Sequence, residues 1–153
     1  MRTIVVDDLR GPAIAALLQE HVDEMRSITP PESKHALDLD GLRRPEVTFW
    51  SVYDDAALVG CGALKELDAD SGEVKSMRTA SAAQRRGVAS AVLAHLVGEA
   101  RRRGYSRLYL ETGSDPFFSP ARALYRRFGF RDCPPFADYP EDPNSVHMLL
   151  VLT

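Results

Sequence analysis

The junction between a short strand and a long helix near the middle of the chain restricts its fold most. Residues 73–79 have the pattern of a strand, and residues 84–103 repeat apolar side chains at helical spacing. The helix begins within Gln84-Arg85-Arg86-Gly87-Val88-Ala89. A helix start presents unpaired backbone N–H groups and a partial positive charge, and a glycine there lets an anion approach the main chain. This junction therefore predicts a cradle for a phosphorylated ligand.

The glycine pattern at the helix start excludes two common nucleotide sites. The stretch lacks the Lys-Ser/Thr ending of a nucleotide P-loop, and it lacks the three glycines of a dinucleotide fingerprint. A different phosphorylated ligand is therefore predicted. Taken without its context, the stretch is equally well an ordinary helix N-terminus that exposes Arg85 and Arg86.

Composition narrows the class of protein. The 153 residues are 44% hydrophobic and 27% charged, which is typical of one soluble globular domain. The net charge of −3 argues against a nucleic-acid-binding protein that relies on a global positive field. Cys61 and Cys133 have no metal-ligand spacing, no apolar run reaches the length of a membrane span, and residues 1–4 begin as a strand rather than a signal peptide. The sequence predicts one cytoplasmic domain over residues 1–153, with no partner among nucleic acids, membranes or metals.

The pattern of apolar residues predicts strands and helices around one sheet. Strands are expected at residues 3–6, 47–53, 57–67, 73–79, 108–111 and 146–152. Helices are expected at residues 12–25, around 33–39, at 84–103 and at 121–128. Asp54-Asp55 is predicted to close a hairpin, and Ser71-Gly72 to form a turn. This order is typical of an α/β or α+β domain with an N-terminal helical pair and a largely antiparallel central sheet.

Two motifs within this order of elements resemble the GNAT superfamily of acetyl-CoA-dependent N-acyltransferases. One is the helix start at residues 84–89, and the other is Ala121-Arg122-Ala123-Leu124-Tyr125-Arg126-Arg127-Phe128-Gly129-Phe130. The element order matches over the whole chain, and the match is most specific over residues 73–131. The resemblance implies a GNAT fold, with a mixed, mostly antiparallel sheet flanked by helices and strands that splay at the acetyl-CoA site.

Four further segments are similar to a bacterial subgroup of N-acetyltransferases labelled YsnE. They are Pro30-Pro31-Glu32-Ser33, Thr48-Phe49-Trp50-Ser51, residues 60–67 and Phe136-Ala137-Asp138-Tyr139. The subgroup is named for its reaction alone, so this similarity says little about the acceptor.

The resemblance implies where coenzyme A binds. Its diphosphate is expected on the backbone N–H groups of Gln84, Arg85, Arg86, Gly87, Val88, Ala89 and Ser90. The far end of strand 73–79 is expected to splay from its neighbour, so that the backbone of Met77-Arg78-Thr79 pairs with the pantetheine arm. An N–H near Met77 would also hold the thioester oxygen. A fully paired sheet would leave no gap for the arm.

The resemblance assigns Tyr125 to the sulfur of the cofactor, where its phenol would protonate the departing thiolate. From its residue type and spacing alone, Tyr125 is also consistent with an amphipathic side chain that packs beside Leu124 and Phe128. Many family members carry an asparagine seven residues earlier, where this chain has Phe118. The contact between that asparagine and the cofactor is therefore absent here or supplied differently.

An acceptor ammonium must lose a proton before it attacks, which calls for a general base. Glu73 lies eleven residues before Gln84, the offset at which histone-type acetyltransferases of the superfamily place a glutamate base. Period-two alternation puts Glu73, Lys75, Met77 and Thr79 on one face of the strand. Glu111 is the competing candidate. Each of the two glutamates is otherwise a solvated carboxylate at a strand end.

The predicted reaction is acetyl transfer to a primary amine, of a small molecule or a peptide, by direct transfer in a ternary complex. Acetyl-CoA is the cosubstrate and no metal is needed. Candidate acceptor-binding residues are Glu32, His35, Glu111 and Tyr139. Dimers are common in the superfamily, which leaves a homodimer open. The alternative is a non-catalytic sensor or interaction module of GNAT fold, which would bind coenzyme A and transfer nothing.

Overall fold

The structure, a computed structural model, describes residues 1–28 and 39–152, with the backbone alone for residues 25–28 and 39. Within that part of the chain one sheet contains the strands β1 (Arg2–Val6), β2 (Val47–Asp54), β3 (Ala57–Asp68), β4 (Ser71–Thr79), β5 (Arg107–Gly113), β6 (Arg131–Cys133) and β7 (Ser145–Val151). Their order across the sheet is β1-β2-β3-β4-β5-β7-β6. Neighbouring strands are antiparallel except for β4 and β5, which are parallel. The predicted mixed, mostly antiparallel sheet is confirmed.

The described helices are α1 (Pro12–Ile28), α2 (Leu39–Leu42), α3 (Val88–Arg102) and α4 (Ser119–Arg127). The first two pack on one face of the sheet, here called the α1 face, and the last two on the other, the α3 face. The helix predicted around residues 33–39 lies outside the described residues except for its last position. Within residues 1–28 and 39–152, none of the helices combines the length and the hydropathy that a membrane span requires.

Both faces of the sheet are covered, which the burial of β2 shows directly. Phe49 lies in the apolar cluster of the α1 face, and the next residue, Trp50, lies in the cluster of the α3 face. The apolar stripe predicted for the long helix is confirmed, because its six members are all buried: Val88, Val92, Leu93, Leu96, Val97 and Ala100. The position of α3 on the sheet is therefore determined by its own amphipathic pattern.

The hairpin through Asp54-Asp55 is confirmed, but the turn predicted at Ser71-Gly72 is wrong. Both residues belong to β4, and the chain reverses one step earlier, at residues 69–70. The Asp68 carboxylate accepts hydrogen bonds from the backbone N–H of Asp70, at 2.8 Å, and from the Ser71 hydroxyl, at 2.9 Å. This aspartate turn leaves Ser71 and Gly72 free to join the sheet.

Two glycines of β3 allow α3 to approach the sheet closely. A Cβ placed on Gly60 would lie 2.6 Å from Val88 Cγ1 and 2.9 Å from the Arg78 carbonyl oxygen. A Cβ on Gly62 would lie 2.6 Å from Val92 Cγ1. These distances are far below van der Waals contact, so a methyl group at either position forces the helix or the strand to move.

We therefore expect Gly60→Ala to lower the free energy of unfolding by about 1–3 kcal/mol, measured by chemical denaturation. Gly98→Ala is the matched control, because Gly98 lies inside α3 and a Cβ there would come no closer than 3.6 Å to another group. That control should raise the stability by about 0.5–1 kcal/mol, since alanine favours the helix. A Gly60→Ala variant as stable as the original chain would contradict the close packing.

Candidate functional site

Strands β4 and β5 diverge in the middle of the sheet. Their parallel ladder runs from Ser71↔Arg107 to Val74↔Leu110 and ends there, although β4 continues to Thr79 and β5 to Gly113. Beyond that point β4 stays paired with β3, and β5 stays paired with β7. We call the space between residues 75–79 of β4 and residues 111–113 of β5 the cleft. The predicted splay of these strands is confirmed.

A β-bulge in β4 accompanies the divergence. Lys75 is paired with Ala63, but Arg78 is paired with Cys61, so two residues of β4 stand opposite the one residue Gly62. Ser76, in the bulge, has a φ of +55°, and its carbonyl oxygen accepts the Cys61 thiol at 3.3 Å. An extra residue bends a strand and interrupts its pairing on one side.

The bulge also changes which side chains share a face. A Cβ on Gly62 would lie 3.6 Å from the Met77 side chain and near Val92, which places Met77 on the α3 face. Glu73 and Lys75 point to the opposite face. The prediction that Glu73, Lys75, Met77 and Thr79 share one face is therefore wrong at Met77 and at Thr79, which is paired with Gly60 on the α3 face, because alternation restarts after the extra residue.

The start of α3 has the geometry of an anion site. The loop of residues 84–87, here called the α3 loop, contains two left-handed residues, Arg85 at φ +67° and Gly87 at φ +76°. Gly87 is the N-cap, no side chain caps the helix, and a Cβ on Gly87 would meet nothing within 4 Å. Exposed N–H groups at a helix start with an open approach are a favourable site for phosphate.

The α3 loop joins directly to the cleft. Gln84, Arg85, Arg86, Gly87 and Ser90 are exposed, whereas Val88 is buried and Ala89 is half-buried. Val88 packs on Gly60, next to the Arg78 carbonyl, so the helix start lies beside the open end of β4. A ligand with an anionic group and an extended arm would reach both features at once.

An arginine that the sequence analysis did not single out holds this loop. Arg2 donates a hydrogen bond from Nη2 to the Arg86 carbonyl oxygen at 3.2 Å, while its Nε and the same Nη2 contact the Asp54 carboxylate. Since the C=O and the next N–H of a peptide point in opposite directions, this contact directs the Gly87 N–H away from β1. A lone N-terminal arginine gives no sequence signal for this role.

Tyr125 lies on α4 and is 8% exposed, against the edge of Phe130 with 5.9 Å between ring centroids. Burial and the charge of Glu111 raise the pKa of Tyr125 to about 12. No other described residue forms a hydrogen bond with its hydroxyl. Phe118, at the position of the family asparagine, packs its ring on Gly113 at the end of β5, where a Cβ would lie 2.2 Å from the ring.

Glu73 is buried in an ion pair. It is 2% exposed, and its Oε2 accepts hydrogen bonds from Lys75 Nζ at 3.0 Å and from the Tyr139 hydroxyl at 2.6 Å. Lys75 Nζ also donates to the Tyr139 hydroxyl at 2.7 Å. Burial and the charges of Glu73 and Glu111 raise the pKa of Tyr139 well above its ordinary value. Glu73 is therefore not a solvated carboxylate at a strand end, which was the alternative that the sequence left open. The sequence did not predict that Lys75 forms an ion pair with it.

Glu111 is the first residue of β5 beyond the β4 ladder, and it is half-buried. Its Oε2 accepts a hydrogen bond from the Ser145 hydroxyl at 2.7 Å. Its cross-strand partner on β7 is His147, which is 5% exposed, so the two side chains lie on the same face. His147 follows Glu111 by 36 positions in the chain, so no local pattern in the sequence indicates that the two residues are neighbours.

Aromatic side chains cover the sheet beside these carboxylates. Phe136 stacks on Tyr109 with 4.7 Å between centroids, and it meets Tyr139 at 5.1 Å and His147 at 5.6 Å. Tyr139, predicted to bind the acceptor, is thus brought beside the cleft, where its hydroxyl contacts Lys75 and Glu73. Glu32 and His35, the other two predicted acceptor residues, lie outside the described part of the chain.

The Arg78 side chain leaves the cleft. It extends over the α1 face and forms ion pairs with Glu20, at 3.0 Å, and with Glu24 of α1. Its guanidinium is therefore occupied by this chain's own carboxylates. The cofactor contact predicted at Arg78 concerns its backbone, so the position of this side chain does not test it.

The sequence of this chain is similar to that of known acetyltransferases. A model described as the acetyltransferase (GNAT) family matches residues 14–130. The uncharacterised N-acetyltransferase YsnE of Bacillus subtilis strain 168 is 57% identical over 145 residues, which are 95% of this chain and 96% of YsnE. The uncharacterised N-acetyltransferase YedL of Escherichia coli K12 is 51% identical over 152 residues, covering 99% and 96% of the two chains.

Solved structures of acetyltransferases have a similar fold. A GNAT family acetyltransferase of Elizabethkingia anophelis, crystallised with acetyl-CoA bound, superposes with a TM-score of 0.69. The superposition covers 99% of this chain and 98% of that one, at 17% identity. At this identity the comparison shows a common fold.

Proposed function

The chain belongs to the GNAT family of acetyltransferases, and from that premise we propose that it moves an acetyl group from acetyl-CoA to a primary amine by direct transfer in a ternary complex. The observation that carries the proposal is the end of the β4–β5 ladder at Val74 and Leu110, next to an uncapped helix start. Those two features fit a ligand with a diphosphate and an extended amide-containing arm.

The α3 loop binds the diphosphate in this proposal. Backbone N–H groups from Gly87 to Ser90 donate to its oxygens, and Arg85 and Arg86 add positive charge. The unpaired edge of Met77, Arg78 and Thr79 then pairs with the pantetheine arm as an added strand would. Acetyl-CoA supplies the activated thioester, whose acyl oxygen an N–H near Met77 would hold. Donors of that kind are worth about 2.7–4 kcal/mol in other enzymes.

Direct transfer to the acceptor needs a proton acceptor and a proton donor. Tyr125 protonates the leaving sulfur from the α3 face, and one of the two carboxylates at the cleft, Glu73 or Glu111, takes the proton of the acceptor ammonium. An acetyl group bound to Cys61 is disfavoured, because burial raises the pKa of Cys61 to about 12 and so suppresses its thiolate.

The acceptor approaches from the α1 face in this proposal, since the diphosphate and Tyr125 take up the α3 face. In the ion pairs and hydrogen bonds beside the cleft, four carboxylates, of Glu20, Glu24, Glu73 and Glu111, accompany two cations, Lys75 and Arg78. Such an excess attracts an amine in its protonated form.

An acceptor panel tests the proposed function. Purified protein is supplied with acetyl-CoA and primary amines that include polyamines, aryl amines, amino acids and peptide N-termini, and release of the coenzyme A thiol is followed. We expect turnover with at least one amine and none without an acceptor. Tight binding of coenzyme A with no transfer to any amine would favour the non-catalytic sensor instead.

A further inference from the structure

The side chain of Arg2 connects the edge strand β1 to the α3 loop. Resting on the proposed function, we infer that Arg2 is a positioning residue for coenzyme A. It holds the α3 loop in the conformation that binds the diphosphate, and Asp54 orients Arg2 for this contact. The inference concerns the affinity for the cofactor and not the chemistry of acetyl transfer.

The register of β1 places Arg2 beside the start of α3. Arg2 stands directly opposite Asp54 of β2, and Ile4, two residues later in β1, packs against the apolar cluster of the α3 face. Because alternate residues of a strand share a face, Arg2 and Asp54 also point to the α3 face. The edge strand therefore brings a guanidinium to the face on which α3 and its loop lie.

The Arg2 guanidinium contacts a carboxylate and a backbone carbonyl at the same time. Its Nε donates to Asp54 Oδ1 at 2.8 Å, and its Nη2 donates to Asp54 Oδ2 at 3.1 Å and to the Arg86 carbonyl oxygen at 3.2 Å. The two bonds to the carboxylate form a bidentate pair, which fixes the plane of the guanidinium. The hydrogen bond from Arg2 also lowers the pKa of Asp54, so this carboxylate stays ionised at neutral pH. Asp54 thus determines the direction from which Arg2 reaches the loop.

The backbone of the α3 loop is irregular and needs contacts that hold it. Arg85 has a φ of +67°, in the left-handed region that is unfavourable for a residue with a Cβ, and Gly87 follows at φ +76°. Such conformations persist where the surrounding structure holds them. Within residues 1–28 and 39–152, the side chain that forms a hydrogen bond with the backbone of this loop is that of Arg2.

The contact at Arg86 determines where the next amide points. The C=O of Arg86 and the N–H of Gly87 belong to one planar peptide and point in opposite directions. With the carbonyl directed to Arg2, the Gly87 N–H is directed away from β1. In the proposed site this N–H donates to the diphosphate. If only a fraction of the molecules kept the loop in this conformation, the affinity for coenzyme A would fall by that fraction.

The charge of Asp54 separates a positioning role from a purely electrostatic one. A carboxylate repels a diphosphate, so electrostatics alone predicts tighter binding of coenzyme A once the charge of Asp54 is removed. A positioning role predicts weaker binding, because the same carboxylate orients Arg2. The two roles therefore predict effects of opposite sign at Asp54.

The test measures coenzyme A affinity in Arg2→Lys and Asp54→Asn by calorimetry. Lysine keeps the positive charge but lacks the planar fork that contacts a carboxylate and a carbonyl together. Asparagine keeps the shape of aspartate but offers one acceptor oxygen in place of two. We expect each variant to bind coenzyme A about tenfold more weakly, which corresponds to a loop that keeps its binding conformation about one tenth of the time.

Pantetheine locates the effect on the ligand, because it has the arm and the thiol of coenzyme A but no diphosphate. Its binding is followed through the backbone amide shifts of Met77, Arg78 and Thr79, and both variants should bind it as well as the original chain does. In steady-state kinetics the KM for acetyl-CoA should rise about tenfold in both variants, while kcat stays unchanged. A merely structural role would lower kcat and pantetheine affinity as well.

Two control variants match the test variants in charge. Arg102→Lys changes an arginine at the opposite end of α3, where it pairs with Glu99. Asp55→Asn removes the neighbouring carboxylate of the same hairpin, which is 85% exposed and contacts the Met1 ammonium. Asparagine tolerates the φ of +54° at this position. We expect Arg102→Lys to leave coenzyme A affinity unchanged and Asp55→Asn not to lower it.

Unchanged coenzyme A affinity in Arg2→Lys, or tighter binding in Asp54→Asn, would overturn the inference. An equal loss of affinity for pantetheine would overturn it as well, because it would show a general disturbance of the fold. If Arg2→Lys does not fold, the sign of the effect in Asp54→Asn decides. These outcomes leave the proposed function intact, whereas failure of the original chain to bind coenzyme A would contradict the proposed function itself.

Discussion

Replacing Tyr125 by phenylalanine should lower kcat about a hundredfold, which is the lower end of what a positioned general acid contributes, and should change the KM for acetyl-CoA little. Tyr125 lies on α4, and burial together with the charge of Glu111 raises the pKa of its phenol to about 12. It therefore stays protonated at neutral pH and holds the proton that the leaving thiolate needs. Steady-state kinetics with a good acceptor measure the effect.

The raised pKa of Tyr125 also determines the pH range over which Tyr125→Phe is expected to lower kcat. Because the neutral phenol is the active form and its pKa lies near 12, Tyr125 should cause no alkaline loss of kcat below about pH 11. Tyr105→Phe is the matched control, since Tyr105 is also buried and its hydroxyl donates to Glu66 at 3.0 Å, far from the cleft. Unchanged turnover in Tyr125→Phe would remove Tyr125 from the mechanism.

The second large effect is expected at Gly87, where a negative charge should weaken coenzyme A binding about ten- to a hundredfold. Gly87 has a φ of +76° and open space where a Cβ would stand, so a side chain there enters the proposed diphosphate site. Two negative charges about 5 Å apart repel by about 1–3 kcal/mol at the effective dielectric constant of a protein surface. Calorimetric titration of Gly87→Asp with coenzyme A measures the loss.

Gly87→Asn is the matched control for the charge. Asparagine and aspartate have the same shape, and both tolerate the left-handed conformation better than other residues with a side chain. The difference between the two variants therefore reports electrostatic repulsion alone. The difference in coenzyme A affinity between the two variants should become smaller as added salt screens the charges. Equal affinities in Gly87→Asp and Gly87→Asn at low salt would show that no anion binds at this loop.

Features that depend on neighbouring residues were predictable from the sequence. The apolar stripe of α3 follows from its helical period, and the hairpin of β2 and β3 follows from two strand patterns around Asp54-Asp55. The loop geometry proposed to bind an anion is equally local, because it needs only a glycine and a helix start. The splay of β4 from β5 was expected from the family resemblance rather than from any pattern in the residues.

The features that the sequence did not predict are of two kinds. Some depend on contacts between residues far apart in the chain, and one depends on a single residue with irregular backbone geometry. The bulge at Ser76 moves Met77 to the α3 face, and the period-two alternation of a regular strand does not predict a bulge. Hydrogen bonds join Glu73 and Lys75 of β4 to Tyr139, which lies 64–66 residues later in the chain. The pairing of Glu111 with His147 depends on the register of β5 and β7, which is a property of the folded sheet.

Backbone amide shifts during a titration with coenzyme A test the central claim most directly. Assigned ¹H–¹⁵N spectra report each N–H separately, so they locate the ligand without any assumption about catalysis. We expect the largest changes on Gly87, Val88 and Ala89 at the helix start and on Met77, Arg78 and Thr79 along the cleft. Absence of binding at millimolar coenzyme A, or changes confined to other elements, would contradict the proposed binding site.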